Sequence, residues 1–306
     1  MKKLSVIVPC YNEQEVLEIF HNELVKHVKD VDCEIIFVND GSKDKTFDVM
    51  KKLKAIDDRV VLLSFSRNFG KESAMHAGLQ ESTGKYIVIM DSDLQDPPHL
   101  LQEMLQILDA GEYDSVATRR VSRKGEPPIR SLFARGFYKL INKFSEVEIV
   151  DGARDYRMMT RQMVDSILEM DEYHRFSKGI FSWVGYDTHY MEFENVERAA
   201  GETSWSFWGL FKYAIEGIVA FTVAPLKLST YIGAVTSIVA LGFMLFIIIK
   251  KFIVGDPAEG YPSLITVISL LGGIQLLSLG IIGEYLGKAY METKRRPKYF
   301  IKTKIK

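Results

Sequence analysis

Two stretches near the C-terminus carry no charge: residues 229–249, STYIGAVTSIVALGFMLFIII, and residues 264–283, LITVISLLGGIQLLSLGIIG. Each is close to the roughly 20 residues a helix needs to cross ~30 Å of hydrocarbon. In a bilayer every backbone N–H and C=O must be satisfied internally, which leaves a helix as the fold open to such a run. The intervening VGDPAEGYPS is rich in turn residues and makes the pair a hairpin. This end of the chain is predicted to fold in lipid.

Charge sets the expected orientation. Lys288, Lys294, Arg295, Arg296, Lys298, Lys302, Lys304 and Lys306 follow the second run, whereas the loop holds Asp256 and Glu259 and no Lys or Arg. Lys250 and Lys251, at the end of the first run, weaken this bias without reversing it. Basic residues stay on the cytoplasmic side, so a multi-pass protein with both termini cytoplasmic is expected. Ahead of the hairpin, Trp205, Phe207, Trp208, Phe211, Tyr213 and Phe221 make an aromatic segment whose charges are Lys212 and Glu216. It suits a helix lying in the membrane interface. The predicted organisation is a soluble domain over residues 1–203, an interfacial region over 204–225, and an anchor with a basic tail over 226–306. Small residues such as Gly272, Gly273 and Gly280 would allow spans to pack closely, as in a homo-oligomer.

The soluble part reads as an α/β sheet. LSVIVP, EIIFVND, VVLLSFS, YIVIMDSD and YDSVAT are short apolar runs with the composition of strands. Between the first two, Val16, Leu17, Phe20, Leu24 and Val28 recur at helical spacing. DKTFDVMKKLKAI and ESAMHAGLQES behave alike. Strands buried on both faces with helical crossovers imply an open, mostly parallel sheet with helices on both faces. Ligands of such sheets bind beyond the carboxyl ends of the strands. Tyr11, Asn12 and Glu13, then Asn39 and Asp40, then Asp91 and Asp93 stand at those ends.

Several chemistries are excluded. The formal charge of −1 gives no global field for nucleic acid. Cys10 and Cys33 cannot build a disulfide framework, and the six histidines form no zinc pattern. No G-x-G-x-x-G follows the first strand, and there is no P-loop and no G-x-S-x-G elbow.

Four blocks in order, SVIVPCYNE, VNDGSKDKT, RNFGKESAMHAG and MDSDLQDPP, resemble the family-2 glycosyltransferases of GT-A type. More narrowly, the chain resembles the polyprenyl-phosphate glycosyltransferases, among them bactoprenol glucosyltransferases and dolichol-phosphate mannosyltransferase, along its whole length. The resemblance implies transfer of a hexose, with glucose first, from a UDP-sugar to undecaprenyl phosphate at the cytoplasmic face of the bacterial inner membrane, with inversion. N-acetylglucosamine or mannose donors, a processive polysaccharide synthase and a sugar-nucleotide-binding scaffold are the alternatives. The synthase is disfavoured because the chain lacks a Q-x-x-R-W block and further spans.

The resemblance also implies site residues. Asp93 and Gln95, with Asp91 as a third ligand or a donor contact, would hold Mg²⁺ or Mn²⁺ against the donor diphosphate. Pro9, Tyr11, Glu13 and Asp40 would line the nucleoside pocket, although Glu13 equally suits the start of the following helix. Lys71 would contact nucleotide or phosphate, or be a solvated lysine at a helix start. Arg119 ends a strand on the ligand side and is the first choice for gripping the acceptor phosphate, as guanidinium groups do bidentately. Arg135 and Arg198 are implied as further phosphate contacts. Asp155, in DGARDYRMMTR, would act as a base or orient Arg157.

Overall fold

The computed structural model describes residues 2–120, 142, 150, 152–193, 219, 222–254 and 260–306. Arg135, Arg198, the aromatic segment from Trp205 to Phe221 apart from Val219, and the loop acids Asp256 and Glu259 lie outside the described residues.

The first half alternates as the apolar pattern requires: β1 (Leu4–Cys10), α1 (Leu17–His27), β2 (Cys33–Asn39), α2 (Thr46–Ile56), β3 (Val60–Phe65), α3 (Lys71–Glu81) and β4 (Tyr86–Ile89). A single 3-10 turn, Pro98–Leu100, leads into α4 (Leu101–Ala110), and β5 (Ser115–Arg120) follows. Then come β6 (Ala153–Thr160), α5 (Arg161–Glu169), α6 (Ser177–Trp183) and β7 (Thr188–Phe193). Helix ends use ordinary devices. Gly111 closes α4 in the left-handed conformation, and the Thr160 hydroxyl accepts the Met163 amide at the start of α5.

Eight strands form one sheet in the order β7-β5-β6-β4-β1-β2-β3-β8, where β8 is Ile301–Ile305. β1 pairs in parallel with β2 and β4, and β2 with β3. Every residue of β2 and β4 is buried, which is why these strands read as unbroken apolar runs. Phe20, Leu24, Ile35, Phe37, Met50 and Val88 join one core cluster. Each such side chain contributes about 1.5–3 kcal/mol by leaving water. The expected open α/β sheet is present.

Two strands depart from the parallel pattern. β6 runs antiparallel between β4 and β5, and β8 antiparallel against β3. β6 is not legible as a strand because Arg154, Asp155 and Arg157 interrupt its apolar residues. The second departure involves the basic tail, whose expected place was with the anchor over residues 226–306. The tail belongs to the sheet: Arg296–Lys306 forms one compact unit with Met1–Ala220. Ile301, Thr303 and Ile305 alternate with Lys302, Lys304 and Lys306, but the run is short and lysine-rich; the edge of β3 supplies the template.

The second unit, Phe221–Arg295, holds α7 (Ala224–Val254) and α8 (Tyr261–Thr293). Within them Ala224–Phe246 and Thr266–Thr293 are long and apolar enough to cross a membrane, and neither stretch is buried in protein. Tyr231, Val235, Ile238, Leu276 and Leu277 are each more than half exposed, an apolar surface that water would not tolerate at this extent. The Tyr285 hydroxyl donates to the Thr222 carbonyl at 2.7 Å. Among the described residues, nothing lies within 4 Å of a Cβ built on Gly272, Gly273 or Gly280.

At the end of β2 only glycine fits. Gly41 has φ +65°, and a Cβ there would lie 2.3 Å from the Arg67 backbone carbon. This close approach brings the β2 and β3 ends together. Gly41→Ala should therefore cost on the order of 1–3 kcal/mol from the left-handed backbone alone, with the clash added. A thermal unfolding midpoint that stays at the wild-type value would show that the two loops do not need this contact.

Candidate active site

Because β1, β2, β3 and β4 are mutually parallel, their carboxyl ends share one edge of the sheet. β6 is antiparallel to β4, so its beginning arrives at that same edge. The register pairs Ile89 with Arg157; carried two residues further, it sets Asp91 level with Asp155. Two carboxylates so placed repel each other. Lys71, the first residue of α3, resolves the conflict: its Nζ lies 2.7 Å from Asp91 Oδ1 and 2.9 Å from Asp155 Oδ2.

Desolvation opposes ionisation of Lys71 and Asp155, but pairing outweighs it. The Lys71 ammonium is held well above the usual lysine range by Asp155 and Asp91. Asp155 is held well below the usual carboxylate range by Lys71, Lys178 and Arg154. Asp155 thus spends its carboxylate on Lys71. The Arg157 guanidinium instead reaches the hydroxyls of Ser115 and Thr188, each at 3.4 Å, and lies over the Phe181 ring.

The loop after β4 is built by its own side chains. Asp93 Oδ1 accepts the Gln95 amide at 3.1 Å, an Asx-type turn, and Leu94 takes φ +59°. Leu94 also packs on the hydrophobic core, which holds it in that sparsely populated conformation. Asp96 is a different kind of acid from its neighbours. It is buried, accepts the Asp91 amide at 2.9 Å, and stands 2.9 Å from Arg154 Nε. Tyr156, also buried, donates its hydroxyl to the Pro97 carbonyl at 3.0 Å. Arg154 and Tyr156 of β6 therefore clamp the loop that carries Asp91, Asp93 and Gln95. Sequence reading missed this clamp, since nothing local shows that β6 lies beside β4.

At the first two strand ends the loops interlock. Ser42 Oγ accepts the Asn12 amide, Asn12 Oδ1 accepts the Lys43 amide, and Thr46 Oγ1 accepts the Glu13 amide. Pro9 is half-buried and Tyr11 exposed at this edge. Asp40 is buried, and its oxygens accept the amides of Phe69 at 2.6 Å and Gly70 at 2.9 Å. Burial raises its pKa while those two amides lower it, with burial ahead. Asp40 so fixes the loop that leads into Lys71.

Arg119 lies near the end of β5, a strand antiparallel to β6 and therefore oriented like β4. It stands at the carboxyl edge of the sheet, with Glu192 Oε1 4.0 Å away and both side chains exposed. An exposed pair at that distance contributes little.

Oxygen donors alone are offered by Asp91, Asp93 and Gln95, which is the preference of Mg²⁺ and Mn²⁺. Among the described residues no three His, Cys, Asp or Glu side chains gather into a metal cage. The set fits a hard divalent cation whose shell is completed by phosphate oxygens and water.

Glu72, beside Lys71, carries no sequence signal that sets it apart from an ordinary helix-start acid. Its carboxylate accepts the Ser177 amide at 3.1 Å and the Ser177 hydroxyl at shorter range, tying α3 to α6. Burial pushes its pKa up to about 7, against the Ser177 hydrogen bonds and with help from Asp155. The ordinary value is about 4.3, so the folded state keeps the proton where the unfolded state loses it. The stability this contributes is complete below about pH 4.3 and is lost as pH rises through about 7. Glu72→Gln should flatten the fall in thermal midpoint across that window. An unchanged pH slope in the variant would remove Glu72 as its source.

Residues 5–168 match the model of Glycosyl transferase family 2, and residues 224–289 match that of the GtrB C-terminal hairpin. The chain is 44% identical to the putative glycosyltransferase CsbB of Bacillus subtilis, over 98% of this chain and 91% of that one. It is 43% identical to the prophage bactoprenol glucosyl transferase homolog of Escherichia coli, over 98% of each, and 40% identical to the bactoprenol glucosyl transferase of Shigella phage SfX, over 99% of each. Among solved structures it is similar to glucosyl-3-phosphoglycerate synthase from Mycobacterium tuberculosis in complex with Mn²⁺, UDP-glucose and phosphoglyceric acid. That match has a TM-score of 0.48 and 20% identity, and covers 71% of this chain and 78% of that one. With a catalytic family model over more than half its length and relatives matched from end to end, the chain belongs to glycosyl transferase family 2 and is a glycosyltransferase.

Proposed function

We propose that this glycosyltransferase moves glucose from UDP-glucose to a polyprenyl phosphate, undecaprenyl phosphate in bacteria, at the cytoplasmic face of the inner membrane. One observation carries the reading: similarity to bactoprenol glucosyl transferases spans the whole chain, hairpin included. Chain connectivity supports the topology. The chain leaves the catalytic unit after Ala220, passes through two apolar helices, and re-enters that unit at Arg296. An even number of crossings returns both ends to one side. Lys294, Arg295, Arg296 and Lys298 favour the cytoplasm for that side.

The acceptor removes the need for a strong base. A phosphate monoester has a second pKa of about 6 and is largely dianionic at neutral pH. Its oxygen attacks the anomeric carbon, the bond from that carbon to the β-phosphate oxygen breaks, and UDP leaves with the electron pair. One in-line displacement inverts the configuration. Asp155, held ionised by Lys71, is poorly matched to proton abstraction, because an efficient base has a pKa near the working pH. Its role is to hold Lys71 across the site. Lys71 offsets charge on Asp91 and stands where a donor phosphate would arrive.

Pro9, Tyr11, Glu13 and Asp40 receive the nucleoside at the first two strand ends. Asp93 and Gln95, with Asp91 beside them, would hold Mg²⁺ or Mn²⁺, which when bound would neutralise charge on the leaving diphosphate. Arg119 grips the acceptor phosphate bidentately. Arg135 and Arg198, which lie outside the described residues, are further phosphate contacts implied by the resemblance alone.

Two measurements test this. Asp93→Asn should reduce glycolipid formation on the order of a hundred- to thousandfold, the cost of losing an electrostatic stabiliser, and excess chelator should do the same to the wild type. Near-normal turnover in chelator would reduce the carboxylates to a turn. For the acceptor, Arg119→Lys should impair transfer while calorimetric UDP-glucose affinity persists, since lysine keeps the charge but not the fork. Polyprenol without phosphate should accept no sugar. Efficient glucosylation of the free alcohol would overturn the proposed nucleophile.

A further inference from the structure

We propose that the C-terminal strand β8 is a positioning element of the active site, holding the loop of residues 66–70 and hence Lys71 from outside. The catalytic half of this inference rests on the transferase reading above.

That loop must be held on two sides. Inside, Asp40 takes the amides of Phe69 and Gly70, and Lys71 is drawn to Asp91 and Asp155. Outside, the support comes from residues more than two hundred positions later. β8 pairs along β3 from Leu62↔Ile305 to Phe65↔Ile301, and the register shifts between Ser64 and Phe65, where the loop begins. Beyond that shift the Ser66 amide donates to the Phe300 carbonyl at 3.0 Å. The Ser73 hydroxyl, with one proton to donate, shares it between the carbonyls of Phe69, at 3.1 Å, and Lys298, at 3.3 Å. The tail's backbone therefore bonds the chain on either side of Phe69 and Lys71.

Aromatic packing fills the space between. The Tyr299 ring stacks on Phe65 with centroids 4.8 Å apart and planes 13° from parallel, and Phe300 lies 6.2 Å from Phe69. Phe69 also meets Phe65 edge-on at 5.8 Å. The four rings form one continuous cluster, and removing two would leave Phe65 and Phe69 facing water. Lys304 and Lys306 also pair with Glu81, at the end of α3, at 2.7 and 2.9 Å. The backbone bonds and rings carry the positioning. Tyr299 contributes a further bond, from its hydroxyl to Gln80 Oε1 at 2.6 Å.

The same strand follows α8 with only residues 294–300 between them. The second apolar helix is thus joined by a short link to the support of Lys71.

The test uses the full chain in lipid nanodiscs and compares wild type, Tyr299→Ala/Phe300→Ala, and the conservative Tyr299→Phe. Hydrogen exchange is read at the Phe69 and Gly70 amides, alongside kcat and KM with UDP-glucose and undecaprenyl phosphate. In the double variant those amides should exchange at least about tenfold faster, as a locally opened segment does, while β1 and β2 stay protected. kcat should fall by a similar factor. Tyr299→Phe keeps the stack and loses only the bond to Gln80, so in both readouts it should stay closer to the wild type than to the double variant. Unchanged exchange at Phe69 and Gly70 would overturn the proposal. So would loss of protection throughout β1 and β2, which would make β8 a general stabiliser, or faster loop exchange with unaltered kcat. If wild type fails to use UDP-glucose, the transferase reading falls, and the exchange result still decides whether the tail holds the loop.

Discussion

The ammonium of Lys71 between Asp91 and Asp155 is the contact on which the ligand edge depends. Antiparallel insertion of β6 beside β4 brings two carboxylates to one level, an arrangement that would push the strands apart without a cation. Lys71 reaches both. Each neighbouring device then serves to keep one of the three in place. Asp40 fixes the loop that precedes Lys71, Glu72 anchors α3 to α6 through Ser177, and the Asp96–Arg154 and Tyr156–Pro97 contacts fix the loop that carries Asp91. Charges that look redundant in the sequence separate into those that face a ligand edge and those that hold its frame.

That separation alters the meaning of the acidic run. Asp91, Asp93 and Asp96 look equivalent in MDSDLQDPP. In the fold, Asp91 meets a lysine, Asp93 turns its own loop, and Asp96 is a buried brace whose pKa burial raises despite Arg154. A divalent cation would meet oxygen donors on a loop already set in shape, so little ordering cost is left for binding. The same holds for the loop before Lys71, pinned by Asp40 within and by β8 without.

Much of this was legible because the physical signals are local. Strands buried on both faces announce themselves as apolar runs, α1 by its three- and four-residue spacing, and the hairpin by length without charge. The ligand edge was equally open to reading, since parallel strands send their carboxyl ends one way. β6 escaped because Arg154, Asp155 and Arg157 break its pattern, and each is tolerated only through a partner brought from elsewhere. β8 escaped because a short lysine-rich segment is a strand only where an edge awaits it.

By itself, then, the sequence determined the alternating α/β core, the two apolar helices and the residue types at the ends of β1, β2 and β4. These depend on periodicity, burial and bilayer thickness, quantities that a run of neighbouring residues specifies. The partners were decided by tertiary structure alone: Asp155 with Lys71 rather than Arg157, Asp96 with Arg154, Glu72 with Ser177, and the tail with β3. Each joins residues far apart in the chain. An ion pair or an edge pairing depends on which strand lies beside which, and register between distant strands leaves no periodicity in either one.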